Sequence, residues 1–526
     1  MSFLSRYRIP IALFLISFAY FVVLSAKQYT FLFVSQDSGD WLTASIMWFV
    51  PQPVGSPLYI LMGHFLNLFG GSLPIKMTIM LNCLPSAVAI TFVYLIVLQL
   101  SQSKLAAITS SIVLLGAAVF LAQSTILDEY AFATMFVVLA YWFYINGKKK
   151  LTLLSMALAV SVNILALIIT LVWWFIERKN WKEWLKLSWA FIIPLALFYS
   201  YILVVMALPS SMPLIAGDLS VKGVWHYLMD TSNGAAYNIS LRDFPMRVGI
   251  FLGMMIMSLG IAWIPLSLAL KPLDTKRWAC VAIALVSLTY YLTSIDPATW
   301  HFLTFGFPFL AILVGLGMNK LMKYHALGAK AVIVCSIGLI FVNGVFLNAQ
   351  TLTAQTDPAA AVEKQIMNLP LNSMIVCRPG HYSMAIFYAI AQGRKDITPI
   401  LWVENTNRAY VMGNISKAYG GQYLGYCAYY GDRLFSILPL DRVIEAYNKG
   451  YPLYVADAYW GFEGLVNPPW NEMIASLTFD SDGRIRKVVD IKEASVTQPK
   501  TYTIYDDGYG NITLPTNPLY FLDDID

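Results

Sequence analysis

The sequence predicts a polytopic α-helical membrane protein with a soluble α/β domain at its C-terminal end. Three observations predict it. Charged residues make up only 12% of the chain and hydrophobic ones 58%, with a mean hydropathy of +0.62; a soluble protein carries about 25% charged residues. Apolar runs near the roughly 18 residues that a bilayer crossing needs recur up to about residue 348. From 350 to 526 no such run occurs, and short strand-like and helix-like stretches alternate instead. The chain therefore divides into a transmembrane domain, 1–348, and a soluble domain, 349–526.

About ten hydrophobic segments are expected, at 9–30, 76–99, 105–123, 129–146, 151–176, 188–208, 247–270, 278–295, 301–320 and 330–348. The first follows Arg6 and Arg8 and has no clear small-residue cleavage site, so it reads as a retained helix rather than a signal peptide. Short loops rich in Lys and Arg stay cytoplasmic. Those with Lys104, Lys148-Lys149-Lys150, Lys271/Lys276/Arg277 and Lys320/Lys323/Lys330 fit that side. Loops 31–75, 124–128, 209–246 and 296–300 have few bases, collect acids and belong outside. The segment 151–176 either crosses once, which puts Arg178, Lys179 and Lys182 outside, or forms a re-entrant hairpin turning near Ser161–Asn163. The hairpin is favoured because every later loop then agrees. It gives a multi-pass cell-membrane protein with a cytoplasmic N-terminus and an extracytoplasmic C-terminal domain.

The first external loop, 31–75, is not slack. Trp41–Val50 and Leu58–Phe69 read as short amphipathic helices joined by a Pro/Gly-rich turn, with aromatic residues suited to the membrane interface. A further helical stretch is expected at Val221–Met229. In the soluble domain, Met374–Cys377, Thr398–Val403 and Tyr451–Ala456 are strand-like, Asp357–Met367, Ser383–Gln392 and Leu440–Lys449 are helix-like, and 477–526 reads as short β segments. Five scattered cysteines form no metal pattern: Cys83, Cys280 and Cys335 fall in apolar spans, and Cys377 and Cys427 either pair or stay free. Asn238, Asn414 and Asn511 open sequons on the expected outer side.

The residues that point to chemistry are acids at the membrane boundary. Asp37-Ser38-Gly39-Asp40 directly follows the first span, where charge near hydrocarbon is costly and marks a functional site by default. Asp37 and Asp40 are three apart and share one face if Asp37 opens a helix; Asp37 also fits a plain N-cap. Asp128 and Glu129 form a second acidic site at the start of a later span, where helix capping is the competing role. Arg242 and Arg247 lie outside near a span start and suit either a phosphate clamp or an interfacial anchor. His226 suits a ligand, a hydrogen-bond donor to phosphate or a structural role. Asp296 and His301 bracket the last external turn and are placed to line a cavity. Trp41, Trp48 and Tyr59 suit sugar stacking or an aromatic belt.

The run Gln36-Asp37-Ser38-Gly39-Asp40-Trp41-Leu42-Thr43-Ala44, then Gln52-Pro53-Val54-Gly55-Ser56-Pro57-Leu58-Tyr59, resembles a family of GT-C-fold membrane glycosyltransferases long catalogued as a domain of unknown function. That family includes the eukaryotic transmembrane O-mannosyltransferase that acts on plexin-type receptors. Its pattern is Asp-Ser-Gly-Glu, a helix, then His-Pro-Pro-Gly-Tyr-Pro-Leu. Asp40 stands at the Glu, Gln52 at the His, Val54 at the second Pro and Ser56 at the Tyr. Leu127-Asp128-Glu129-Tyr130-Ala131-Phe132 is similar to the family's Ala-Glu-Val-Tyr-Ala-Leu, and the loop with Asp218, His226 and Tyr237 is similar to its long external loop.

The resemblance implies a GT-C-like fold and transfer of a sugar, mannose or another hexose, from a polyprenyl-phosphate donor to an extracytoplasmic protein or envelope glycan. A hydroxyl acceptor needs a base as it attacks, and a single displacement inverts the anomeric centre. Asp37 is the first candidate for that base and Asp40 the second. Gln52, Tyr130, Asp218, His226, Tyr237, Arg242, Arg247, Asp296 and His301 are the candidates for donor and acceptor binding. No motif demands a metal or cofactor; the acids are oxygen ligands of the kind that hold Mg²⁺ or Mn²⁺, while the resemblance leans toward metal independence. Membrane lipids are expected partners and nucleic acid is not. The rival readings are a non-catalytic envelope-binding scaffold and, less favoured because the spans are nearly free of charge, a transporter.

Overall fold

The computed structural model describes residues 3–25, 37–46, 56–207, 244–270, 274–293, 297–354, 365–377, 389, 392–394, 396–401, 427–430, 433–436, 448–456, 476–479, 485–492, 503–504 and 512–513. The chain is a multi-pass bundle with a sheet-containing C-terminal part. Its helices are α1 (Phe3–Ser25), α2 (Asp37–Ile46), α3 (Pro57–Asn67) and α4 (Leu73–Ser101). Next come α5 (Lys104–Gly116), α6 (Ala118–Thr125), α7 (Tyr130–Ile145), α8 (Lys149–Val162), α9 (Ala166–Ile176), α10 (Trp181–Lys186) and α11 (Trp189–Ala207). The bundle ends with α12 (Phe244–Ala269), α13 (Thr275–Thr293), a 3₁₀ segment Pro297–Phe305, α14 (Phe307–Tyr324) and α15 (Ala326–Ala354).

Among the described residues, four helices are long and apolar enough to cross a membrane, or up to six if each bent pair counts as one span. The ten runs of the sequence are therefore not ten straight crossings. The run 105–123 breaks by 65° between α5 and α6. That break is held from outside: Asn343 Nδ2 on α15 donates to the Gly116 carbonyl at 2.6 Å and to the Met257 carbonyl at 2.8 Å. It supplies a donor to both carbonyls, a partner that backbone in apolar surroundings needs wherever a helix breaks. The run 301–320 starts as a 3₁₀ segment and becomes α14 only at Phe307, with Pro308 in the first turn, where proline is tolerated.

The run 151–176 also breaks, at Asn163-Ile164-Leu165. Its two legs return to one end. Tyr144, at the end of α7, donates to Glu177 Oε1 at 2.6 Å, just past α9. Lys149, at the start of α8, pairs with Glu183 on α10. Both basic stretches thus share the end of the bundle where α7 finishes, while the Asn163 turn lies at the end where α7 begins. The α8–α9 unit is a helical hairpin.

Close helix contacts rest on small residues. A Cβ on Gly317 of α14 would overlap the backbone carbonyl of Pro265 in α12, and one on Gly63 of α3 would overlap the Ser45 side chain of α2.

In the C-terminal part, a mixed sheet has the order β2 (Thr398–Leu401), β1 (Met374–Cys377), β5 (Leu453–Ala456), β7 (Ile485–Lys492), β6 (Ser476–Phe479). β1 runs parallel to β2 and β5; β7 is antiparallel to β5 and β6. Two-stranded pieces are formed by β3 (Cys427–Tyr430) with β4 (Arg433–Ser436), and by β8 (Thr503–Ile504) with β9 (Ile512–Thr513). The expected strands at 374, 398 and 451 fall on β1, β2 and β5. The helix expected at Val221–Met229 lies outside the described residues, as does most of the three expected in the soluble domain. Arg394 forks onto Asp396 with two bonds of 2.9 Å and donates to the Ile366 carbonyl at 2.6 Å. The Arg394 bonds hold the Asp396 carboxyl below its ordinary range, so this clasp is intact at neutral pH and is lost as pH falls below the usual carboxylate range.

Two outcomes follow. Gly317→Ala should destabilise the detergent-solubilised protein by about 1–3 kcal/mol or more, read as a lowered thermal midpoint. Cysteines placed singly at Lys149 and Lys179 should react with an impermeant maleimide from the same side of sealed vesicles; labelling from opposite sides would break the hairpin assignment.

Candidate active site

The site is built where the first loop meets the start of α7. Ser38, in the first turn of α2, is fully buried and donates from Oγ to the Leu127 carbonyl at 2.6 Å. This one bond brings the two acidic motifs of the sequence together, since Asp37 precedes Ser38 and Asp128 follows Leu127. Asp37 and Asp40 occupy the first turn of α2, where the partial positive charge of a helix start favours carboxylates. Their side chains lie outside the described residues.

α2 is anchored on its other side by α3. Trp41 and Tyr59 are buried and meet edge to face at 5.8 Å between ring centroids, and Gly63 lets the two helices close on Ser45. Tyr59 Oη donates to Asn82 Oδ1 at 3.2 Å. Asn82 in turn donates from Nδ2 to the Asp128 carbonyl, and to the Gln123 carbonyl at 3.4 Å. Asn82 sits in a π-helical turn, Thr78–Cys83, inside α4; such turns often occur at functional sites because they re-aim a side chain. Burial first, then the nearby Asp128 and Glu129 charges, raise the Tyr59 hydroxyl well above its ordinary pKa. It stays protonated and remains a donor.

Among the described residues, the buried charged side chains are Asp128, Glu129 and Arg247. Asp128 Oδ1 accepts the Glu129 N–H at 2.9 Å, and its Oδ2 has no hydrogen-bond partner among the described residues. Glu129 Oε1 accepts from Asn163 Nδ2 at 2.9 Å, while Asn163 Oδ1 accepts the Leu165 N–H at 2.9 Å. The second bond orients the Asn163 amide, so the tip of the α8–α9 hairpin presents its NH₂ to the carboxylate. Carboxylates removed from water this far need donors, a cation or a proton. No group of three or more potential metal ligands occurs among the described residues.

Aromatic residues border these acids. Tyr130 packs against His301 at 4.7 Å, Phe302 at 5.4 Å and Phe305 at 5.9 Å, all from the 3₁₀ segment. Arg247, near the start of α12, reaches the Tyr291 carbonyl at 3.5 Å, at the end of α13 that leads into that segment. No carboxylate pairs with it among the described residues.

The structure thus brings together the backbone of Asp37 and Asp40 with Asp128, Glu129, Tyr130 and His301, and buries Arg247. Gln52, Asp218, His226, Tyr237, Arg242 and Asp296 lie outside the described residues, as do the sequon asparagines Asn238, Asn414 and Asn511. Sequence reasoning gave no role to Ser38 or Asn82, and read Asn163 only as part of a turn. The signal for Asn82 and Asn163 was available: each is a lone amide in an apolar run, where a polar side chain is expensive to keep.

No family model matches the sequence, and no curated protein matches it. Solved structures do. The chain is similar to ArnT from Cupriavidus metallidurans bound to undecaprenyl phosphate, with a TM-score of 0.58 at 12% identity over 92% of this chain and 98% of that one. It is similar to the apo state of the same protein, with a TM-score of 0.57 at 12% identity over 91% and 97%. The likeness spans both the bundle and the C-terminal part, and the chain has the GT-C-like membrane fold.

Proposed function

We propose that this chain is a membrane glycosyltransferase that moves a sugar from a polyprenyl-phosphate donor to a hydroxyl of an extracytoplasmic protein or envelope glycan. The observation that carries the reading is the Ser38–Leu127 hydrogen bond, which sets the Asp37–Asp40 turn beside the Asp128–Glu129 pair. Two further supports stand beside it. The ArnT structure with which the chain shares its fold holds undecaprenyl phosphate. The first-loop residues resemble the family that includes the plexin-type O-mannosyltransferase.

The chemistry assigns a role to each group. An acceptor hydroxyl is a weak nucleophile until a carboxylate takes its proton as it attacks, a step worth about 10²–10⁴ in rate. Asp37, or Asp40 one turn on, is that base. The hydroxyl oxygen bonds to the anomeric carbon, the bond to the phosphate oxygen breaks, and the phosphate leaves as an anion on its lipid. Attack from the side opposite the leaving group inverts the carbon. Arg247, with Arg242 nearby in sequence, takes the leaving phosphate, since guanidinium is suited to phosphate oxygens. Asp128 and Glu129 orient the acceptor or hold a divalent cation through their oxygens. Tyr130 and His301 offer ring faces to the sugar. The C-terminal α/β part recognises the acceptor or covers the site.

The test is release of radiolabelled sugar from a panel of polyprenyl-phosphate sugars by the lipid-reconstituted protein. Asp37→Asn or Asp40→Asn should lower release by about 100-fold or more while the thermal midpoint is kept. If no donor is consumed, or both variants match wild type, the catalytic reading fails and an envelope-binding scaffold replaces it. Asn163→Ala should lower turnover about tenfold, the worth of a hydrogen bond to a charged group. The same change should have little effect in a Glu129→Gln background, because the pair acts as a unit.

A further inference from the structure

The end of the bundle away from Asp128 carries a feature that sugar transfer does not use. α7 has sixteen residues, so about 24 Å separates the two ends. At the far end the open legs of the α8–α9 hairpin bring together two basic stretches that the sequence keeps apart: Lys148, Lys149 and Lys150, and Arg178, Lys179, Lys182 and Lys186. Seven cations meet two acids between residues 144 and 189, Glu177 and Glu183, for a local charge of +5. The formal net charge of the whole chain is also +5, so the rest of the chain sums to zero.

The two acids do not quench this patch. Glu177 is occupied by Tyr144 at 2.6 Å, Asn180 at 3.0 Å and Trp184 at 3.4 Å. Glu183 is paired with Lys149, whose ammonium also lies 5.8 Å from the Trp184 ring. Lys148, Lys150, Arg178, Lys179, Lys182 and Lys186 are exposed.

Aromatic side chains fix the depth of these charges. Phe175, Trp181 and Trp189 are exposed at 67%, 56% and 51%. Each carries a cation: Arg178 lies 4.8 Å from Phe175, Lys182 6.0 Å from Trp181 and Lys150 5.6 Å from Trp189. Exposed tryptophan at the ends of apolar helices settles at headgroup level. Cations held against those rings therefore sit in the headgroup layer rather than out in the aqueous phase, where a soluble partner would meet them.

We infer that this basic, tryptophan-rich end is a binding surface for anionic phospholipid headgroups, on the opposite side of the bundle from the acidic site. Clusters of four to eight Lys or Arg beside membrane helices attract anionic lipid at about 1 kcal/mol per cation, which is about fivefold in affinity.

The test is native mass spectrometry of the full chain released from bilayers of equal phosphatidylglycerol and phosphatidylcholine, counting each lipid retained. Wild type should retain phosphatidylglycerol in excess, with the excess shrinking as salt is raised. Arg178→Gln/Lys179→Gln/Lys182→Gln/Lys186→Gln should abolish the excess. Lys104→Gln/Lys323→Gln/Lys330→Gln, which removes charge from other basic loops, should keep it. If the fourfold variant does not fold, Lys182→Gln alone carries the test, with a loss of about fivefold. Equal retention of the two lipids by wild type overturns the inference and leaves an acidic protein as the occupant. Equal loss in the control variant also overturns it, because the attraction would then belong to no particular surface. Neither readout depends on sugar transfer.

Discussion

A buried serine hydroxyl on a backbone carbonyl is the constraint on which the acidic end of this bundle depends. Ser38 Oγ holds the first turn of α2 to the connection before α7. From there the contacts run in a closed circuit. α2 meets α3 through Trp41 and Tyr59, Tyr59 reaches Asn82 of α4, and Asn82 returns to the carbonyl of Asp128, one residue beyond Leu127. Each polar member of the circuit lies in low-dielectric surroundings, where a made bond is strong and a broken one leaves a costly orphan. The circuit therefore resists piecemeal loosening. A short helix with little apolar length of its own is held in one place by one hydrogen bond to the connection before α7 and by packing on α3, which is itself tied to α4.

Much of the architecture was legible in the sequence, and the reasons differ by element. The first-loop helices show as amphipathic stretches, and the structure places them at Asp37–Ile46 and Pro57–Asn67. The central strands β1, β2 and β5 show because β-rich runs are bounded by turn residues. The hairpin was legible only indirectly, through the charge of the loops on either side of 151–176; apolar periodicity alone does not distinguish one crossing from two legs. What stayed hidden was the nature of the helix breaks. The kink at Gly116–Ala118 depends on Asn343, more than two hundred residues away, and no local propensity reports a distant donor.

The acidic site shows the same division. Asp37, Asp40, Asp128 and Glu129 stand out because carboxylates at a membrane boundary are rare. Ser38 does not, because a serine beside a helix start has many ordinary uses. That the two acidic motifs meet is a property of tertiary structure. Likewise, Arg247 reads as one of two arginines near a span start in sequence, and its burial beside the Tyr291 carbonyl is visible only in the tertiary structure.

The π-helical turn in α4 couples helix phase to this assembly. An α-helix advances about 100° per residue, and a π-turn accommodates one extra residue without lengthening the regular pattern on either side. The segment before Thr78 therefore faces a direction offset by about that angle from the one an unbroken helix would impose. Lys76, whose ammonium bonds the Leu66 carbonyl at the end of α3 at 2.7 Å, lies on the offset side, while Asn82 lies within the turn itself. Helix phase is thus a variable of the site: a single-residue deletion between Thr78 and Cys83 would leave composition and hydropathy almost unchanged, yet swing α3 and its partner α2 around the axis of α4.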